Sequence, residues 1–386
     1  MQNFDYYNPT QIVFGKDRLS ELDNLVPVDA KILITYGANS VKKYGTLSKV
    51  IESLKGREIV EFGGIEPNPK YETLMKAVSV VKNEKIDFLL AVGGGSVMDG
   101  TKFISIASEF EGDPTTILHH GFEPVPAKKT IPLATVVTLP ATGSEMNCYG
   151  VVSFNGGKFV FYSPLTFPKF SILDPTLTFT LPKKQIANGI ADTFIHTVEQ
   201  YVTQPVDARF QDRTAEGILK TLIEIGVKTI ENPEDYGTRA NFMWCATNAL
   251  NGLIGAGVPQ DWTTHLIGHE LTAFFGIDHG TTLAILQPSV WKHTKDQKKG
   301  KLLQYADRIW GLTEGEPEDI IEEAINKTRN FFETLGINTK LNSYGVKSED
   351  IDGVINALRQ KGLTALSETG EVSLDVSRKI LEDAVG

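Results

Sequence analysis

The sequence predicts two fold classes in one chain: an α/β half built on a doubly wound parallel sheet over residues 1–182, and an all-helical half over 183–386. Three observations carry this. Up to Leu181-Pro182, short apolar runs that end in glycine-rich turns alternate with helical patterns. Beyond that point the strand signal fades and apolar residues recur at helical spacing. The second half also holds an Asp/His constellation whose spacing belongs on helices. At 386 residues the chain exceeds a typical single domain, so two domains are expected.

The α/β half is read from its runs. KILITYG (Lys31 to Gly37) and DFLLAVGGG (Asp87 to Gly95) are apolar throughout and stop at glycines, as strands buried on both faces do. EIVEFGG (Glu58 to Gly64) and TIPLATVVTLP (Thr130 to Pro140) resemble them, with helical patterns such as YETLMKAVSVVKNEK between. This alternation argues for a parallel sheet with helices on both faces. VVSFNGGKFVFYS (Val151 to Ser163) reads as a hairpin turning at Asn155-Gly156-Gly157. In the helical half, Ile320, Ile321, Ala324, Ile325, Thr328, Phe331, Phe332 and Leu335 line one helix face before Gly336 stops the helix. No internal repeat or low-complexity segment interrupts either half.

Composition narrows the function classes. Against 38 basic residues stand 48 acidic ones, a net charge of -10, which disfavours nucleic-acid and anionic-membrane partners. Lys295, Lys298, Lys299 and Lys301 read as a solvated helix start. The two cysteines, Cys148 and Cys245, stand in no metal or redox spacing and fit a reducing, cytoplasmic compartment. The N-terminus carries no signal-peptide pattern, and no run of about 18 apolar residues exists to span a bilayer.

The chemistry-bearing pattern lies in the helical half. Asp192 and His196 are four apart, a spacing that places both on one helix face. His265, His269 and His279 follow, so four of the chain's seven histidines belong to this group. One carboxylate and three imidazoles suit a borderline divalent ion, Fe(II) or Zn(II), and no cysteine takes part. An Asp-x3-His pair alone is more often a surface pair, but here two pairs occur together among glycines and apolar residues. One histidine is surplus to a four-ligand site and is available as a supporting group or proton carrier.

Two polar turns at predicted strand ends form the second pattern. Gly93, Gly94 and Gly95 let backbone approach a pyrophosphate, and the following helix offers free N–H groups and a positive dipole end. Ser96 adds a hydroxyl donor, and Asp99 can accept from a ribose hydroxyl. The turn matches neither G-x-G-x-x-G nor a Walker motif. TLPATGSEMN (Thr138 to Asn147) offers Thr138, Thr142, Gly143 and Ser144 as small donors at another strand end. Ligands of open parallel sheets bind beyond the carboxyl ends of the strands. These turns are therefore expected to face a cleft, with the metal group opposite.

On these residues the chain resembles the iron-containing (group III) alcohol dehydrogenases, near the bacterial branch of NADPH-dependent aldehyde reductases and butanol dehydrogenases. The resemblance runs nearly end to end. It includes NFDYYNPTQIVFGK, EFGGIEPNP, AVGGGSVMDGTKFI, TLPATGSEMN, LDPTLTFTLP, ANGIADTFIHTVEQYVT, ALNGLIGAGVPQDWTTHLIGHELTAFFGIDHG and LLQYADRIW. It implies a Rossmann-like dinucleotide domain followed by a helical metal domain, the dehydroquinate synthase-like fold, in a homodimer. By motif position it implies Asp192, His196, His265 and His279 as metal ligands, with His269 near the nicotinamide and substrate. Gly94, Gly95, Ser96 and Asp99 would hold the pyrophosphate and nicotinamide ribose. Thr138, Thr142, Ser144 and Lys158 would line the nicotinamide side, while Leu177 and Leu181 would cover the cofactor. Asn147, Cys148, Tyr149, Ile254 and Trp262 are the implied substrate-pocket positions.

The turn Gly37-Ala38-Asn39-Ser40 bears on the choice of nucleotide. NAD-preferring relatives carry an acid at the position of Asn39, which would repel a 2'-phosphate. Neutral Asn39, the Ser40 hydroxyl and the charges of Lys42 and Lys43 favour NADP(H). The close NADPH relatives have Gly-Gly-Gly-Ser here, so the side chains of Ala38 and Asn39 narrow that space. The implied reaction is hydride transfer between nicotinamide and a short-chain aldehyde or primary alcohol, with the metal as Lewis acid. The alternatives are an NAD- and metal-dependent lyase of the dehydroquinate synthase-like class, a polyol (glycerol or propanediol) dehydrogenase, and a nucleotide-free metal hydrolase. The lyase would need a basic cluster near the histidines, which the sequence lacks, and the hydrolase would leave both glycine-rich turns without a role.

Overall fold

The computed structural model describes all 386 residues. They divide into two compact units, one formed by Tyr7–Leu181 with Pro233–Thr247, the other by Met1–Tyr6, Pro182–Asn232 and Asn248–Gly386. Short pieces of each half of the sequence thus fold with the other half.

The first unit carries a parallel sheet of six strands. In chain order they are β1 (Gln11–Phe14), β2 (Lys31–Tyr36), β3 (Glu58–Phe62), β4 (Phe88–Gly93), β5 (Leu133–Val137) and, after a separate hairpin of β6 (Tyr149–Phe154) and β7 (Gly157–Tyr162), β8 (Phe170–Leu173). Their spatial order is β1-β8-β5-β4-β2-β3. The helices are α1 (Leu22–Leu25), α2 (Ser40–Lys43), α3 (Thr46–Ser53), α4 (Tyr71–Glu84) and α5 (Gly95–Ala107).

The apolar strand runs are explained by burial on both sides. Ile32, Ile34, Leu90 and Val92 pack with Leu47, Val50 and Leu54 on one face. Leu33, Leu89 and Ala91 pack with Leu74, Val78, Val81 and Ile104 on the other. Successive residues of a strand point to opposite faces, so a strand covered on both sides must be apolar at every position. β1 and β8 are too short for the sequence pattern to have isolated them. The hairpin turns on Asn155-Gly156 alone, and Gly157 already pairs with Phe154.

The second unit is helical apart from one two-residue ladder, β9 (Ala365–Leu366) with β10 (Val372–Ser373). Its helices are α6 (Lys183–Tyr201), α7 (Arg209–Glu231), α9 (Thr263–Phe275), α10 (His279–Trp310), α11 (Pro317–Thr334), α12 (Ile351–Gln360) and α13 (Leu374–Val385), whereas α8 (Tyr236–Ala249) belongs to the first unit up to Thr247. Leu271, Ile285, Leu286, Val290, Ile355 and Leu381 form a core shared by α9, α10, α12 and α13. No helix is long and apolar enough to cross a membrane.

The lysine cluster corrects the sequence reading. Lys295, Lys298, Lys299 and Lys301 lie inside α10 rather than at a helix start, and Lys298 and Lys301 are buried. Lys298 and Lys301 turn inward, whereas Lys295 and Lys299, four apart, reach Glu318 on the outer side at 3.0 Å each. Lys298 Nζ meets Asp261 and Glu368 at 2.9 Å each and donates to Val202 O at 3.1 Å. It thereby ties the loop ahead of α9 to the β9–β10 hairpin. Removing this cation strands two buried carboxylates. Lys298→Ala is expected to lose about 3–5 kcal/mol of stability, read as a lower thermal midpoint; an unchanged midpoint would show the cluster to be solvated after all.

Candidate metal and nucleotide sites

α6, α9 and the first turn of α10 bring the predicted metal group together. Asp192 and His196 project from one face of α6, His265 and His269 from one face of α9, and His279 opens α10. The helices approach closely because Gly280 has no side chain: a Cβ there would lie 2.3 Å from Asn188 O of α6. The same junction is pinned by Lys184 to Asp278 at 2.7 Å, by Asn188 Nδ2 donating to Asp278 Oδ2 at 3.2 Å, and by Thr281 Oγ1 donating to Asn188 Oδ1 at 2.8 Å.

Three imidazole nitrogens surround one carboxylate oxygen. Asp192 Oδ1 lies 3.5 Å from His196 Nδ1, 3.6 Å from His265 Nε2 and 3.8 Å from His279 Nε2. These separations exceed a hydrogen bond. They fit donors sharing one ion, because ligands about 2.0–2.2 Å from a tetrahedral centre stand about 3.3–3.6 Å apart. Asp192 Oδ1 and His265 Nε2 are buried and have no hydrogen-bond partner within the protein, as a coordination site requires. The donor atoms of Asp192, His265 and His279 all fall within 4.8 Å of one another, a group that does not take in His196. His196 turns Nδ1 toward Asp192 while its ring stacks on His265, with centroids 4.5 Å apart. His269 sits one turn further along α9, its ring 5.1 Å from that of His279.

The electrostatics keep Asp192 ionised. Burial would raise the Asp192 carboxyl, but the imidazoles of His196, His265 and His279 hold it well below the usual carboxylate range. Burial would lower the His265 imidazole, yet the Glu199 and Asp192 carboxylates outweigh it and push it up to about 9. Glu199, which the sequence reading passed over, meets His265 Nδ1 with Oε2 and accepts the His265 backbone N–H at 3.2 Å with Oε1. The signal was present: residues 192, 196 and 199 form one stripe of α6.

The predicted nucleotide turns also converge, within the first unit. β5, β4 and β2 are adjacent and parallel, so their carboxyl ends set residues 138–144, 93–96 and 37–40 side by side. The chain leaves β2 in one direction for β3 and passes from β4 in the other for β5, which marks the switch point where open α/β sheets bind ligands. A cavity of about 300 Å³ beside it is lined by Tyr36, Gly37, Ala38, Asn39, Lys42, Gly63 and Gly64.

The glycines serve a further purpose here. A Cβ on Gly95 would meet Thr142 Cγ2 at 2.5 Å, so the two turns pack directly on each other. Ser96 Oγ accepts from the Asn68 backbone N–H at 3.2 Å. Asp99 accepts from Ser144 Oγ at 2.7 Å and from the Val151 N–H at 3.0 Å; burial pushes its carboxyl up, with Lys102 and, more weakly, Lys158 pulling against it. Thr142 Oγ1 accepts from the Ser144 N–H at 3.2 Å. Thr138 continues the ladder by donating its N–H to Gly93 O at 2.9 Å. Leu177 packs on the sheet core, and the Leu181 N–H donates to Thr178 O at 3.1 Å.

Two charged groups at these turns were not anticipated. Lys102, 0% exposed on α5, donates to Ser144 Oγ at 2.8 Å, Asn147 Oδ1 at 2.9 Å and Tyr149 O at 2.8 Å. Burial pulls its ammonium down to about 8 against the pull of Asp99. A lone lysine within the apolar stretch GTKFISIA was the available cue. Glu61 pairs with Lys42 at 3.1 Å and accepts from Tyr36 Oη at 2.9 Å, so the positive charge read at Lys42 is partly answered inside the cavity rim. Of the pocket candidates, Asn147 is committed to Lys102, Cys148 and Ile254 are buried, and Trp262 packs edge-on to His265 at 5.4 Å.

Residues 9–175 match the iron-containing alcohol dehydrogenase family, and residues 186–370 match the C-terminal part of the Fe-containing alcohol dehydrogenase family. The chain belongs to the iron-containing alcohol dehydrogenase family. It is 54% identical over 388 residues to the NADPH-dependent aldehyde reductase YqhD of Escherichia coli, covering 100% of both chains. The crystal structure of that protein superposes with a TM-score of 0.97, covering 99% of each chain. The structure of NADH-dependent butanol dehydrogenase A from Thermotoga maritima, 34% identical, gives a TM-score of 0.95 and covers 100% of this chain and 99% of that one. NADH-dependent butanol dehydrogenase B of Clostridium acetobutylicum is 38% identical, covering 91% of this chain and 92% of its own.

Gly280→Ala tests the helix junction. The added methyl is expected to push His279 away from Asp192 and lower bound metal severalfold, with far-ultraviolet circular dichroism unchanged. Full metal content in that variant would separate the close approach from the site.

Proposed function

We propose that this protein is a metal-dependent oxidoreductase that interconverts short-chain aldehydes and primary alcohols by hydride transfer with NADP(H). The observation that carries the reading is Asp192 Oδ1 facing three imidazole nitrogens at 3.5–3.8 Å with no hydrogen-bond donor of its own. Asp192, His196, His265 and His279 would hold one divalent ion, Fe(II) or Zn(II), between which such a donor set does not choose. Bound there, the ion would polarise a carbonyl oxygen as a Lewis acid, while the nicotinamide supplies the hydride.

The chain's own residues then have distinct tasks. Gly94, Gly95, Ser96 and Asp99 would bind the pyrophosphate and nicotinamide ribose. Thr138, Thr142, Ser144 and Lys158 would orient the nicotinamide, with Leu177 and Leu181 excluding water above it. Gly37, Asn39 and Ser40 would receive the 2'-phosphate. His269, buried beside His279, would hold or pass the proton through its imidazole nitrogens. NADPH over NADH is supported by neutral Asn39 and by the NADPH dependence named for YqhD at 54% identity. The Thermotoga and Clostridium relatives are named for NADH. The family resemblance supports a homodimer, and reduced cysteines support a cytoplasmic setting.

The test is oxidation of NADPH and NADH with butanal by metal-stripped protein, reloaded without oxygen with Fe(II) or Zn(II). Metal-dependent oxidation that is faster with NADPH is expected. Nucleotide binding without turnover on any short aldehyde would favour the lyase-type reading. His269→Ala is expected to lower kcat about 10²–10⁴-fold with metal retained; a metal-free variant would make His269 a ligand instead.

A further inference from the structure

Glu199 is a carboxylate at 3% exposure on α6, and one residue of another helix engages both of its oxygens. Oε2 meets His265 Nδ1, and Oε1 accepts the His265 backbone N–H at 3.2 Å. A carboxylate so deeply buried is costly unless its oxygens are matched. Here the match is a two-point grip on the ring and the backbone of His265 together.

The grip has a chemical consequence. A carboxylate accepts at Nδ1–H, and an imidazole that gives one nitrogen to a metal carries its single N–H on the other. The proton therefore sits on Nδ1, and Nε2 keeps its lone pair. Nε2 is the nitrogen 3.6 Å from Asp192 Oδ1 and without a hydrogen-bond partner. We infer that Glu199 is a positioning residue of the metal centre, fixing the tautomer and direction of His265. The inference rests on the reading of Asp192, His196, His265 and His279 as ligands.

The surroundings keep Glu199 in place. Its carbonyl accepts the Asp261 N–H at 2.8 Å, Asp261 Oδ1 accepts the Thr263 N–H at 2.9 Å at the start of α9, and Lys298 holds Asp261 Oδ2 at 2.9 Å. α6 and the start of α9 are thus joined through both the backbone and the side chain of Glu199.

The test compares Glu199→Gln and Glu199→Asp with the parent, each as the full chain stripped of metal. Zn(II) affinity is read by competition with a chelator, and Co(II) geometry from its visible absorption. Glutamine has one acceptor oxygen for two N–H groups. Its amide must either donate to Nδ1, which moves the ring proton to Nε2, or oppose the backbone N–H. Zn(II) affinity is expected to fall about 10–100-fold in Glu199→Gln, with altered Co(II) bands. Glu199→Asp, which keeps charge and both acceptors on a shorter arm, is expected to recover part of the loss.

A packing role alone would lower the thermal midpoint of the metal-free variants and leave affinity and Co(II) spectrum unchanged, which would overturn the inference. If Glu199→Gln does not fold, Glu199→Met, of similar length and without an acceptor, decides, since parent-like affinity and spectrum in it would overturn the inference equally. Asp192→Ala is the control: if it binds Zn(II) as tightly as the parent, the metal-centre reading itself fails, whatever Glu199 does.

Discussion

Asp192 holds a negative charge at 4% exposure, with one oxygen facing only imidazole nitrogens. Such a group is destabilising in a protein interior unless a cation answers it. Much of the second unit can be understood as a response to that charge. α6 must pass α10 closely enough for His279 to reach it, so Gly280 lies against the Asn188 carbonyl. The loop between α9 and α10 must hold its course, so Asp278 is gripped by Lys184 and Asn188. The imidazole of His265 must face inward, and Glu199 grips it from behind.

The first unit answers a different constraint. Parallel strands leave their carboxyl ends open on one edge, and β2, β4 and β5 end there in turns of small residues. Gly95 and Thr142 touch, so these turns form one packed surface rather than separate loops. Lys102 lies beneath it, joining α5 to residues 144–149 through three acceptors. A buried ammonium satisfied at every proton resists rearrangement, so the turns above it keep one shape.

Most of the fold was legible in the sequence because its signals are periodic. The runs at 31–37 and 87–95 are apolar at every position because both faces of the sheet are covered, and the i,i+4 spacing of Asp192 with His196 follows from helix geometry. β1 and β8, four residues each, offer too short a pattern to stand out. The residues missed share a different cause. Lys102, Glu199 and Lys298 are charged, and composition assigns charge to the surface; only tertiary partners make burial affordable. Lys298 was read as solvated for that reason, although its spacing of three from Lys301 already placed both on one helix face. Glu61 escaped notice because its partner Lys42 comes from a different strand-end turn.

One carboxylate and three imidazoles of this chain would together hold a single divalent ion. X-ray absorption at the metal edge of protein reloaded with Zn(II) tests it most directly. A first shell of nitrogen and oxygen donors at about 2.0–2.2 Å is expected, with the outer-shell scattering of three imidazoles. A shell containing sulfur, or one of oxygen donors without imidazole scattering, would contradict it.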